Sequence, residues 1–121
     1  MTRRTERINE LIREEISNLL KREVKDPRLS GFITITEVSV SPDLHYAKVF
    51  VSVMGAEEDW GQAKDGLAAA AGFLRRKLGE RLSLRYIPEL HFVRDQSIER
   101  GSHLLELIER VSSTEDPEET N

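Results

Sequence analysis

The residues in this chain best placed to do chemistry are cations. Arg75, Arg76, Lys77, Arg81 and Arg85 fall within eleven positions that hold Glu80 as the one acid. They follow Leu67-Ala68-Ala69-Ala70-Ala71-Gly72-Phe73-Leu74, a run of small residues and a glycine inside an apolar helical pattern. Glycine in a helix interior costs about 1 kcal/mol relative to alanine, so its presence asks for a reason. A kink or a close backbone approach would supply one. A second set of cations, Arg3, Arg4, Arg7, Lys25 and Arg28, crowds the two ends of the first helical pattern. Charges gathered at helix ends and at a kink suit a polyanion such as a nucleic-acid backbone. Such contacts position a partner without reading its sequence. The same residues also suit a solvated helix face, and charge alone leaves both readings open.

Other chemistries find no support. The chain has no cysteine, which removes disulfides, zinc–thiolate sites and thiol nucleophiles. His45, His91 and His103 show no metal-ligand spacing, and His45 and His91 fall on predicted strands as structural or exposed residues. Gly61-Gln62-Ala63-Lys64-Asp65-Gly66 has the glycine spacing of a phosphate-binding loop. Leu67-Ala68 follows it where Lys and Ser or Thr are needed, and it lies in a helix, not after a strand. No nucleophile elbow occurs, and the carboxylates are scattered over solvent faces. No catalytic residue, metal or cofactor is expected.

The 121 residues allow one domain with a core of its own. No apolar run reaches the length of a membrane span, and no signal-type apolar region follows the start. A soluble cytoplasmic protein with no membrane partner is expected. The net charge is -4, with 18 Lys and Arg against 22 Asp and Glu. Four of those acids, Glu115, Asp116, Glu118 and Glu119, lie in the tail, so the body is balanced and locally polarised. Local sign decides where a phosphate can sit.

These residues need elements to hold them. Ile8, Leu11, Ile12, Ile16, Leu19, Leu20 and Val24 mark an amphipathic first helix, which Asp26-Pro27 stops. Residues 32–40 and 45–53 alternate as strands, joined by the turn signal Ser41-Pro42-Asp43 into an antiparallel hairpin. A second helix runs from near Trp60, read as its anchor, to near Leu78, broken or bent at Gly72. Residues 84–95 predict a third strand restricted by Pro88, and Ser97 can cap a last helix. Residues 112–121 are expected to be a disordered acidic tail. The resulting class is α+β, in the order α-β-β-α-β-α, with a three-stranded sheet and its helices packed on one face.

A helix-kink-helix between strands resembles a type II KH domain, although the Gly-x-x-Gly of that fold is replaced here by Ala70-Ala71-Gly72. Arg3-x-x-x-Arg7-Ile8, Asp26-Pro27-Arg28, Asp43-Leu44 and Ala47-Lys48-Val49 occur in order. Ala70 to Arg75, Leu84-Arg85-x-x-Pro88-Glu89-Leu90-x-Phe92 and Asp95-x-Ser97-x-x-x-Gly101 follow. Together they resemble the bacterial ribosome-binding factor A family over residues 1–111. The resemblance implies a KH-like, non-enzymatic assembly factor for the immature small ribosomal subunit. Its partners would be that subunit, its rRNA and an assembly GTPase. It also implies a role in late maturation and rRNA processing, a link to cold adaptation, and a monomer. The ten cations named above are the expected RNA contacts, and Ala70, Ala71 and Gly72 the expected interhelical kink. A protein-interaction adaptor that never touches RNA is the alternative.

Overall fold

The computed structural model describes residues 3–29 and 33–119, apart from the side chains of Ile98, Glu99, Ser102 and residues 112–119. Helix α1 (Arg3–Arg22) comes first and leads through a 3-10 turn at Pro27–Leu29 to β1 (Ile33–Val40). Then come β2 (Tyr46–Val53), α2 (Glu57–Arg81), β3 (Glu89–Arg94) and α3 (Ser97–Glu119). The order matches the sequence expectation. Phe32, expected to open the first strand, lies outside the described residues.

The sheet runs β1-β2-β3. β1 and β2 form the expected antiparallel hairpin, and β2 and β3 pair in parallel. Parallel neighbours cannot be joined by a tight turn, so a crossover is required, and α2 is that crossover. Alternation puts Ala47, Val49, Val51 and Val53 on one face, all buried, against Ile12, Ile16 and Leu19 of α1 and Ala63, Leu67, Leu74 and Leu78 of α2. On β1 the buried positions are Ile35, Val38 and Val40, and the step of three marks a bulge. Ile35 pairs with Val51 and Glu37 with Phe50, which leaves Thr36 as the extra residue.

Three expectations need correction. First, α2 is continuous from Glu57 to Arg81, with no break at Ala70-Ala71-Gly72. A Cβ added at Gly72 would meet nothing within 4 Å, so no neighbour approaches there. The close approach is at Gly66, where an added Cβ would lie 2.9 Å from Leu29 Cγ and 3.2 Å from Arg28 Cβ. Second, β3 begins at Glu89 rather than near Leu84. Pro88 has no N–H to give the ladder, and residues 82–88 run as a loop instead. Third, α1 and α2 pack on the sheet, whereas Leu104, Leu105, Leu107, Ile108 and Val111 of α3 stay exposed. No described side chain of α3 joins the core. Helix α3 as bounded runs from Ser97 to Glu119. At its start Asp95 supplies the acceptor in place of a Ser97 cap, its Oδ1 taking the Ser97 amide at 2.9 Å.

Candidate nucleic-acid interface

The expected RNA-contacting cations divide by what their donors already hold. Arg75 is tied to the loop before β3, its Nε donating to the Pro88 carbonyl at 3.1 Å and its Nη2 to the Ile87 carbonyl at 3.0 Å. Arg81 bridges helices. Its Nη1 donates to Glu15 Oε1 at 2.9 Å, and its Nη2 bonds Glu23. These carboxylates hold the Arg81 pKa above its ordinary value, Glu15 most strongly. Arg28 is forked onto Asp26, with Nη2 2.7 Å from Oδ2. That bond raises the guanidinium and lowers the Asp26 carboxyl. Lys77 pairs with Glu80 at 3.3 Å, one turn along α2.

The other cations are less engaged. Arg76 lies over the Phe73 ring at 5.6 Å and Arg85 over the Tyr86 ring at 5.5 Å. Both are exposed. Arg3, Arg4, Arg7 and Lys25 make no ion pair among the described residues, and all four are exposed. Ala70 and Ala71 are half-buried and Gly72 is exposed, all three within the one helix α2.

The sheet sorts these cations into places. The Val40 amide donates to Asn9 Oδ1 at 2.9 Å, which fixes the first half of α1 at the hairpin end of β1. Further along, Ser17, Leu20, Lys21 and Val24 line a groove with Ile33, Thr34 and Met54 at the opposite end of that strand. Helix α1 therefore runs back along β1, and Arg3, Arg4 and Arg7 project from its hairpin end. Lys25 lines the groove at the far end, and Arg28 follows it on the short 3-10 turn. The ten cations do not form one patch.

The hairpin end carries residues the cation reading did not single out. Asp43 Oδ1 accepts the Ser41 hydroxyl at 2.6 Å and the His45 amide at 3.0 Å. Ser41 Oγ in turn accepts the Tyr46 amide at 3.1 Å. The Ser41 hydroxyl and the His45 amide hold the Asp43 carboxyl below the usual aspartate range. This turn keeps Leu44 at φ 64°, a left-handed conformation that a leucine rarely adopts. The strand entry is thus over-determined. Asp43 was legible as a turn residue; the tyrosines, and the meeting of His45 with Tyr86 across the fold, were not.

Among the described residues no group of three His, Asp or Glu side chains comes together as metal ligands, and no helix is long and apolar enough to cross a membrane. At the other end of the sheet, Arg94 Nη1 donates to Glu57 Oε2 at 2.9 Å. Arg94 also lies over Trp60 at 5.6 Å, which anchors the start of α2.

Comparison with known proteins agrees with this fold and extends along the chain. The family model for ribosome-binding factor A matches residues 4–108. Ribosome-binding factor A of Acetivibrio thermocellus is 54% identical over 121 residues, 97% of this chain and 98% of that one. The crystal structure of ribosome-binding factor A from Thermus thermophilus shares the fold at 24% identity. Its TM-score is 0.65, over 74% of this chain and 94% of that one. A Thermus thermophilus homology model fitted into a cryo-electron-microscopy map of a 30S complex of that factor aligns with a TM-score of 0.59 at 25% identity. It covers 73% of this chain and 91% of that one. On the match of the family model and the near end-to-end identity to a named relative, this chain belongs to the ribosome-binding factor A family.

Proposed function

We propose that this chain binds the immature small (30S) ribosomal subunit through its 16S rRNA and assists late maturation and rRNA processing without a covalent step of its own. The observation that carries this reading is the end-to-end likeness to ribosome-binding factor A, whose Thermus member was fitted into a map of a 30S complex. The reading extends to a cytoplasmic monomer, displaced with the help of an assembly GTPase and needed most in the cold. Residues 1–111 form the binding domain.

The partners each cation already holds support a narrower set of RNA contacts. Arg3, Arg4 and Arg7 at the hairpin end, with Arg85, are exposed and free of ion pairs among the described residues. They are the preferred phosphate contacts. Arg76 and Lys25 offer further contacts on separate faces. Arg28 and Lys77 each share their charge with a neighbouring carboxylate, which weakens their pull on phosphate. Arg75 and Arg81 serve the fold first. Specificity comes from the shape of a folded subunit, because these side chains reach phosphates and not base edges.

Sedimentation of the tagged protein in a bacterial lysate tests the reading. Co-migration with free small subunits, but not with complete ribosomes, is expected. Recovery only at the top of the gradient, at low salt and after cold shock, would refute it. One observation favours the adaptor alternative in part. Leu104, Leu107, Ile108 and Val111 fall at helical spacing on α3 and are exposed, as a helix that meets a protein would show them. Salt and nuclease separate the two. Subunit binding that disappears with both is RNA-borne, and binding that survives both is borne by protein.

A further inference from the structure

The chain has two tyrosines and three histidines. Both tyrosines and two of the histidines meet at the hairpin end of the sheet. His45 and Tyr86 have ring centroids 4.7 Å apart at an interplanar angle of 33°. Tyr46 and His91 lie 5.7 Å apart at 42°. The pairs are joined through the backbone, since the Glu89 amide donates to the His45 carbonyl at 2.8 Å and Tyr46 registers with Glu89 across the parallel ladder. Neither pair is core. Tyr46 is 52% exposed and Tyr86 43%, and both histidines are exposed.

We propose that these two ring pairs form a stacking platform for unpaired RNA bases. The proposal rests on the reading that the chain binds rRNA and deepens it, by naming unpaired nucleotides as the element recognised. Three observations support it. Aromatic faces in water gain by taking up a base, and this is indifferent to sequence because every base has a π-face. Cations flank the rings: Arg85 lies 5.5 Å over Tyr86, and Lys48 follows Tyr46 by two residues on the same exposed strand face. The platform is also rigid before any ligand arrives. The Ser41–Asp43 network holds the entry to β2 in a strained conformation, and Arg75 clamps the loop that carries Tyr86 at Ile87 and Pro88. Rings held in place lose little freedom on binding.

Charge complementarity sets the path. Glu89 Oε1 lies 3.5 Å from His91 Nε2, so phosphates are unwelcome at that corner and the ring face is left to a base. The RNA backbone runs instead past Arg85, which lies over Tyr86.

The test uses the full chain and immature small subunits, with affinity measured over a range of salt. Tyr46→Ala and Tyr86→Ala are each expected to weaken binding at least about five-fold, the lower end of base–aromatic stacking. Tyr46→Phe and Tyr86→Phe keep the parent affinity. The salt slope stays unchanged in all four, because stacking releases no counterions. Thermal melting checks that each variant is folded. Ultraviolet crosslinking of the unsubstituted chain to subunit RNA gives a second readout, with adducts expected on the peptides that hold Tyr46 or Tyr86. Alanine variants that bind like the parent overturn the platform, as do phenylalanine variants that weaken binding as much as alanine does. So does a weakening that persists after nuclease treatment, which would assign the surface to a protein. If the parent chain itself fails to bind subunits, the assembly-factor reading falls and takes this proposal with it.

Discussion

Arg75 and Arg81 differ from Arg3, Arg4 and Arg7 in where their donors go. A guanidinium that already holds two carbonyls or two carboxylates must break those bonds before it can meet a phosphate. We expect Arg81→Ala to lower the thermal midpoint by releasing α1 from α2, and Arg75→Ala to loosen residues 82–88 at a cost of about 1 kcal/mol. The contrasting double variant, Arg3→Glu with Arg7→Glu, should leave the midpoint almost unchanged and weaken subunit binding. The slope of log affinity against log salt should become shallower by about 0.7 for each phosphate that is no longer neutralised. Equal slopes in parent and double variant would remove these two arginines from the interface. Asp95 gives a test of stability against pH. The Thr36 hydroxyl donates to its Oδ2 at 2.6 Å and the Ser97 amide to its Oδ1 at 2.9 Å. These bonds hold its carboxyl below the ordinary value of 3.8, the Thr36 hydroxyl contributing most. A carboxyl with a depressed folded pKa binds fewer protons in the folded chain than in the unfolded one. Its stabilisation is therefore complete above the unfolded value and is lost as pH falls through the folded one. Melting followed from neutral pH to strong acid should show Asp95→Asn less stable at neutral pH and with a shallower acid decline. A decline as steep as the parent's would mean that Asp95 contributes nothing to it.

At the scale of elements, the glycines of α2 exchange the roles their sequence context suggests. Gly72 sits among alanines in a helix that continues past it, and nothing lies within 4 Å of where its Cβ would be. Gly72→Ala should therefore stabilise the chain by roughly 0.5–1 kcal/mol through helix propensity alone. Gly66→Ala gains the same propensity but must push a Cβ to 2.9 Å from Cγ of the buried Leu29, in the turn that links α1 to β1. Overpacking of that kind costs roughly 1–3 kcal/mol, so a net loss on the order of 1 kcal/mol is expected. Calorimetry on the two variants would show midpoints moving in opposite directions; a fall for Gly72→Ala would restore the packing role to that residue. The period-two run Ala47, Val49, Val51 and Val53 was legible as a buried strand face because residue type and spacing encode it locally. The bulge at Thr36 was not, because residues 32–40 are β-branched enough to read as one unbroken strand. Nor was it legible which glycine faces a neighbour, because Leu29 reaches α2 from a segment far away in sequence. The start of β3 was hidden for the same reason. The loop that precedes it is held by Arg75, whose partners no helical spacing reveals.

For the whole molecule, the core among the described residues closes without α3. Buried residues come from α1, the 3-10 turn, the sheet and α2, and none of the described side chains from Ser97 onward is among them. Folding and the proposed RNA binding thus draw on different side chains of the same elements. The first is driven by burial between two helices and three strands; the second is left to surfaces that the fold does not consume. This division explains why the fold was readable and the interface only partly so. Burial imposes periodicity on sequence, while an exposed arginine looks alike whether it salt-bridges Glu15 or waits for a phosphate. The division also makes a prediction. A chain ending at Gly101 keeps the Asp95–Ser97 hydrogen bond and sheds the exposed Leu104, Leu105, Leu107, Ile108 and Val111. Changes confined to the surface usually cost under about 0.5 kcal/mol, so the thermal midpoint should move by less than about 4 °C. If RNA carries recognition through the hairpin end, the shortened chain should also sediment with small subunits as the full chain does. A large fall in midpoint would mean that α3 packs on the body in solution. An unchanged midpoint without subunit binding would place a protein-binding surface on its apolar stripe, and the adaptor alternative would then describe that helix while the hairpin end kept the RNA.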